Sequence, residues 1–296
     1  MTRRTEALAA AALLFCGCTE ARPRAAATPS PAVAANTPTG IADARAVNGD
    51  RSKGEPRVSG GEAIPEAVHE RPPGLTDLDV PGFQAAVVSF PPSAAFPQPV
   101  LIATHGAGDT PAEMCDLWRA LLGDRGVVLC PAGPRMRAHE EGRYYPDHHA
   151  LERITFASLS TLREKYPDVA DTEHAVYTGY SQGATMGALM IPPYGGECPR
   201  LVLVEGGFGD WSMERATTFA RAGGRRTLFV CGRQQCKEGA ERSAAWLRKA
   251  GVPARVVSHV GEGHVIHVAE AATPELGWLL DGDPRWTPSP KEDAQE

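Results

Sequence analysis

Residues 179–183 read Gly179-Tyr180-Ser181-Gln182-Gly183, a G-x-S-x-G pentapeptide between the apolar run at 174–178 and a small, helix-friendly stretch ending at Met190. A serine hydroxyl is a poor nucleophile at neutral pH. Chemistry at Ser181 therefore needs an imidazole within hydrogen-bond reach to take its proton, and N–H donors aimed at the oxyanion that attack on a carbonyl creates. Strand, sharp turn and helix form the context in which this pentapeptide makes a nucleophile elbow. Small residues two before and two after the serine permit so tight a turn. The bland alternative is a Gly/Ser turn joining a buried strand to a helix.

The candidate base is His264, in the glycine-flanked loop Gly261-Glu262-Gly263-His264 after the last apolar run. Serine early and histidine late is one of the known chain orders for such a pair. His259 and His267 lie close in sequence and are read as packed or solvent-facing. One oxyanion donor is the Gln182 N–H, at the start of the helix after the elbow. The second is expected from His105-Gly106-Ala107-Gly108-Asp109-Thr110, where the Ala107 N–H is the natural candidate and His105 shapes the loop. Tyr144 and Tyr145, in Arg143-Tyr144-Tyr145-Pro146-Asp147-His148-His149, are read as substrate-binding residues walling an apolar or aromatic group, with plain packing as the alternative. Asp147, His148 and His149 are adjacent, and adjacent residues rarely point at one ion, so no metal site is expected there.

Positioning these groups requires a scaffold, and the hydrophobic pattern supplies one. Strand-like runs fall at 84–90, 100–104, 126–130, 174–179, 201–205, 227–231 and 254–259. Several are continuously apolar (Val-Leu-Ile-Ala, Leu-Val-Leu-Val), which suits strands covered on both faces. Helix-like stretches alternate with them at 111–122, 149–165, 181–190, 212–222, 238–250 and 265–280. Thr110, Pro111 and Gly123 punctuate the first of these. The alternation predicts an α/β fold, a doubly wound, mostly parallel sheet with helices on both faces. Ligands of such sheets bind beyond the carboxyl ends of the strands, where Ser181, His264 and the 105–110 loop fall. Only one helix fits between residues 201 and 227, so an open site is expected.

The chain has 296 residues and a formal net charge of −6, with basic residues scattered, so nothing points to nucleic acid. Arg3, Arg4 and the apolar stretch ending at Phe15 read as an export signal over residues 1–18. Its close on Cys16-Gly17-Cys18 resembles a bacterial lipoprotein signal, with Cys18 as the lipidated residue and the only membrane attachment the sequence offers. Phe15 and Cys16 depart from that pattern, and ordinary secretory cleavage is the alternative. Residues 19–74 are rich in Ala, Pro and Thr and cannot bury enough apolar surface to order themselves, so they read as a tether. One domain over 75–286 and a loose tail over 287–296 complete the organisation. Cys115, Cys130, Cys198, Cys231 and Cys236 lie in that domain, and export favours disulfides among them. Cys231 and Cys236 flank a short loop and are a candidate pair. Their spacing fits no usual zinc pattern.

The 105–110 loop, Cys130-Pro131-Ala132-Gly133-Pro134, the pentapeptide with Ala184, and the Gly-His264 loop occur in this order. Together they resemble the carboxylesterase, acyl-protein thioesterase and dienelactone hydrolase branch of the α/β-hydrolases, over roughly residues 100–280. The resemblance implies hydrolysis of a small-molecule ester or thioester through an acyl-enzyme, with no metal and no organic cofactor. One departure stands out. The family places its triad aspartate three residues after the glycine that ends the penultimate strand, and here Gly232 is followed at that distance by Gln235. An amide cannot stabilise an imidazolium as a carboxylate does. Glu205, directly after the preceding strand, is the favoured substitute, with Asp210 and Glu238 as alternatives. A Ser-His pair without an acid, or a hydrolase-fold surface binding protein without turnover, are the remaining readings.

Overall fold

The computed structural model describes residues 74–92, 97–137 and 141–286. The expected export signal with Cys18, the expected tether as far as residue 73, and the expected tail at 287–296 lie outside them. All described residues belong to one compact unit, Ile64–Glu296.

Among the described residues, eight strands form one sheet: β1 (Leu75–Leu78), β2 (Ala86–Ser89), β3 (Gln98–Thr104), β4 (Val127–Cys130), β5 (Ala170–Tyr180), β6 (Arg200–Val204), β7 (Arg226–Cys231) and β8 (Ala254–Ser258). Their spatial order is β1-β2-β4-β3-β5-β6-β7-β8. The pairs β1–β2 and β2–β4 are antiparallel, and every pair from β4 to β8 is parallel. The continuously apolar runs are the central strands; all of Arg200–Val204 is buried. Alternate residues feed two cores. Ile102, Tyr177, Leu201, Leu203 and Phe229 pack beneath the helices α2 (His148–Lys165), α3 (Gln182–Met190), α4 (Met213–Arg221) and α5 (Gln234–Lys249). Leu101, Val176, Val202 and Val230 face α1 (Pro111–Leu122) and the C-terminal segment with α6 (Leu276–Leu280). The sheet is therefore doubly wound, as the pattern predicts.

Two elements differ in kind from the sequence expectation, and β5 and α5 each begin earlier than expected. Strand β1 was not anticipated: Leu-Thr-Asp-Leu is short, mixed in character, and sits at a sheet edge with β2 as its one strand partner. The helix expected over 265–280 is instead a 3₁₀ segment, Ile266–Glu275, followed by the single α-turn of α6. Pro274 within it has no N–H to give and crowds the preceding turn, so an α-helix cannot run through.

Order reverses around β3: the chain leaves it for β4 on one side and returns to β5 on the other. The crevice between the ends of β3 and β5 is the switch point at which such sheets bind ligands.

Candidate active site

Ser181, Glu205, residues 232–236 and His264 follow β5, β6, β7 and β8, four neighbouring parallel strands. Register brings their ends level: Tyr180 pairs with Val204, Val204 with Val230, and Val230 with Val257.

Ser181 sits between β5 and α3 with φ 49° and ψ −108°, in the left-handed half of backbone space that a residue with a side chain rarely enters. Its N–H donates to the Val204 carbonyl at 2.9 Å, which pins the turn to β6. The turn leaves no room for side chains at its flanks. A Cβ on Gly179 would lie 2.5 Å from the Gly183 carbonyl carbon, and one on Gly183 would lie 2.5 Å from Thr104 Oγ1. The strained conformation is held by these contacts on both sides.

Ser181 Oγ lies 2.8 Å from His264 Nε2, and His264 Nδ1 lies 3.0 Å from Glu205 Oε2. Glu205 is 2% exposed, and it too has a positive φ, 51°. Its other oxygen, Oε1, accepts the N–H groups of Gly232 at 2.6 Å and Arg233 at 3.0 Å, while Arg233 Nε donates to Oε2 at 2.5 Å. Burial alone would raise the Glu205 carboxyl, but the hydrogen bonds from His264, Gly232 and Arg233 outweigh it and hold the group below the usual carboxylate range. The acid is thus ionised where the imidazole would need a counter-charge. Asp210 and Glu238 do not take this place: Asp210 follows further along the loop, its carbonyl accepting from Arg215, and Glu238 is exposed on α5, bonded to Gln234. Gln235 lies exposed in the first turn of α5, which begins earlier than the expected residue 238.

The loop after β3 packs against the elbow, its His105 carbonyl accepting the Gly183 N–H at 3.1 Å. Ala107, at its tip, is exposed. Neither the Ala107 nor the Gln182 N–H meets an acceptor among the described residues, and Gln182 opens α3, where the helix dipole favours negative charge. His105 is fully buried, with Nδ1 2.7 Å from the Gly106 carbonyl and Nε2 accepting the Gly133 N–H at 3.1 Å. Both bonds suit the neutral ring with its proton on Nδ1, and burial lowers its pKa from 6.5 to about 4.

The tyrosines divide. Tyr144 is half-buried, its N–H bonded to the Pro134 carbonyl. Tyr145 departs from the expected pocket wall. Its side chain is fully buried, stacked on His105 with ring centroids 4.2 Å apart, and its hydroxyl donates to the Pro131 carbonyl at 2.9 Å. A phenol with a polar partner inside the core is satisfied there, so it supports the 105–110 loop from below. Its N–H donates to Gln182 Oε1 at 2.8 Å, tying this segment to the elbow.

No model of a known protein family matches the sequence, and no curated protein does. Solved structures do match. The chain is similar to the crystal structure of esterase PE8, at 18% identity and a TM-score of 0.52, over 65% of this chain and 97% of that one. It is also similar to DphMB1, at 20% identity and a TM-score of 0.51, over 69% and 84% of the two chains. The fold is that of the α/β-hydrolases.

Two neighbours of His264 and Glu205 had no signal in the sequence. Tyr180 stacks on His264, centroids 5.3 Å apart, and its hydroxyl donates to the His264 carbonyl at 3.1 Å. Arg233 reaches Glu205 across 28 residues of chain. Cys115–Cys130 and Cys231–Cys236 are disulfides, and Cys198 is buried and free. Glu205, Cys231 and Cys236 are the cluster with metal-ligand chemistry among the described residues. The two sulfurs are joined to each other, and the carboxylate is engaged by His264 and Arg233, so the cluster presents no free ligand set.

Proposed function

We propose that this protein is a serine esterase that cleaves carboxylic or thio esters through an acyl-enzyme on Ser181. The observation that carries the reading is the continuous chain from Ser181 Oγ through His264 to Glu205, at 2.8 and 3.0 Å, on a backbone turn with positive φ. In this reading His264 Nε2 takes the hydroxyl proton as Ser181 attacks the ester carbonyl. Glu205 holds Nδ1–H and so keeps Nε2 free to accept, and its charge stabilises the imidazolium that forms. The N–H groups of Gln182 and Ala107 receive the oxyanion. His264 then gives its proton to the departing alcohol or thiol, and water repeats the sequence to release the acid.

Gln235 motivated the rival reading, a binding protein without turnover. The Glu205–His264 bond offers a carboxylate in place of Gln235 and so favours the esterase reading. The two disulfides suit an exported enzyme. Anchoring through Cys18 is the expectation that the N-terminal sequence adds.

Turnover of p-nitrophenyl acetate and butyrate tests the reading. An initial burst of about one p-nitrophenol per chain, followed by a slower steady rate, is the expected signature of an acyl-enzyme. Absence of both burst and turnover would count against an esterase.

A further inference from the structure

The loop that closes β7 touches both partners of the Ser181 system. Its carbonyls hold the loop carrying His264: Cys231 accepts the His259 N–H at 2.8 Å, and Gly232 accepts those of Gly261 at 3.0 Å and Gly263 at 3.2 Å. Its donors hold the acid: the N–H groups of Gly232 and Arg233 and the Arg233 guanidinium take both oxygens of Glu205. A Cβ on Gly232 would lie 2.3 Å from the Gly263 carbonyl oxygen, so the approach of the two loops depends on that glycine.

The loop is closed by the Cys231–Cys236 disulfide, whose sulfurs and a Glu205 carboxylate oxygen all lie within 4.8 Å of one another. A bridge spanning only five residues removes little freedom from the unfolded chain; Cys115–Cys130, spanning fifteen, removes more. The short bridge does less for global stability, and it sits directly under the acid.

We propose that the disulfide-closed loop Cys231–Cys236 is the positioning element that sets Glu205 against His264, with Arg233 as its second arm. The residues from which the resembled family draws its acid here form the receptor for an acid supplied by the neighbouring strand. This deepens the esterase reading and rests on it. Arg233 acts through its bond to Glu205, and Cys231 and Cys236 act through the loop they close beside it, so all three are positioning residues. Their loss should appear in kcat and not in KM.

The test compares four variants of the full chain on p-nitrophenyl butyrate, with thermal melting alongside. Arg233→Met should lower kcat about tenfold with KM within twofold, and Arg233→Lys should recover part of the loss; Arg233 is half-exposed, so both should fold. The double variant Cys231→Ala/Cys236→Ala should lower kcat about tenfold to a hundredfold at nearly unchanged KM. Cys115→Ala/Cys130→Ala, which removes the bridge between α1 and β4, should melt at a lower temperature and keep kcat within twofold. Active wild type together with unchanged kcat in Arg233→Met and in the 231/236 variant overturns the proposal alone. Wild type without turnover overturns the proposal and the esterase reading together.

Discussion

Strand β6 begins at Arg200 and hands over to Glu205, each only 2% exposed, so one short strand separates two buried charges. Both are satisfied from far away in the sequence. Arg200 donates to the carbonyls of Leu279 and Asp281 and to Asp283 at 3.2 Å, and Arg285 bridges Asp283 onward to Asp171. At the other end, Glu205 accepts from Gly232, Arg233 and His264. The partners differ in kind. Carbonyls, carboxylates and guanidinium groups have no proton to exchange near neutral pH, whereas Glu205 leads to an imidazole that is one-third open to solvent and in contact with a hydroxyl. Backbone strain alone does not separate the two ends, because His174, near the Arg285 cluster, also has a φ of 51°. What separates them is a serine hydroxyl and unengaged N–H donors beside an imidazole. Buried charge can lock a fold or prepare a reaction, and its partners decide which.

Mutations should split along that line. Ser181→Ala has the largest expected effect, a fall in kcat of about 10⁶-fold with little change in melting temperature. Glu205→Gln should lower kcat by about 10³- to 10⁴-fold, because the amide neither stabilises the imidazolium nor fixes its tautomer. At the other end of the strand, Arg200→Met should leave the Leu279 carbonyl without its donor and the buried Asp283 with Arg285 as its remaining ion-pair partner. The expected cost is about 3–5 kcal/mol in urea unfolding, with kcat per folded molecule unchanged. A large rate loss in Arg200→Met at full folding would erase the distinction between the two ends.

The smallest expected effect belongs to His105. Its folded pKa, lowered from 6.5 to about 4 by burial, means that the unfolded chain binds more protons between those values. Stability should be complete above about pH 6.5 and decline as pH falls toward 4, by on the order of 3 kcal/mol. Urea melts of wild type and His105→Asn across that range should show a steeper slope in wild type. Equal slopes would mean that the ring under the 105–110 loop is not held neutral.

The legible parts of this molecule were those with local causes. Helix α1 follows Thr110, Pro111 and Gly123 to the residue, with a capping box between Thr110 and Glu113 that holds its start. Ser181 announced its turn because the elbow requires glycines at fixed offsets. Glu205 was reachable as the carboxylate ending a buried run, although the residues alone left Asp210 and Glu238 open. Non-local causes were invisible. Nothing about Tyr145 reveals that it turns inward beneath His105, and nothing about Arg233 reveals its reach to a carboxylate on the next strand. The 3₁₀ geometry of Ile266–Glu275 is the exception: its cause, Pro274, is local, and an apolar pattern that suits an α-helix outweighed it in the reading of the sequence.

The esterase proposal requires Ser181 to be an activated nucleophile. Reaction of the purified full chain with a fluorophosphonate, followed by peptide mapping, tests it most directly. One adduct per chain is expected on the peptide containing Ser181, formed far more slowly in Glu205→Gln and not at all in Ser181→Ala. No adduct on folded wild type, or an adduct that persists in Ser181→Ala, would contradict it.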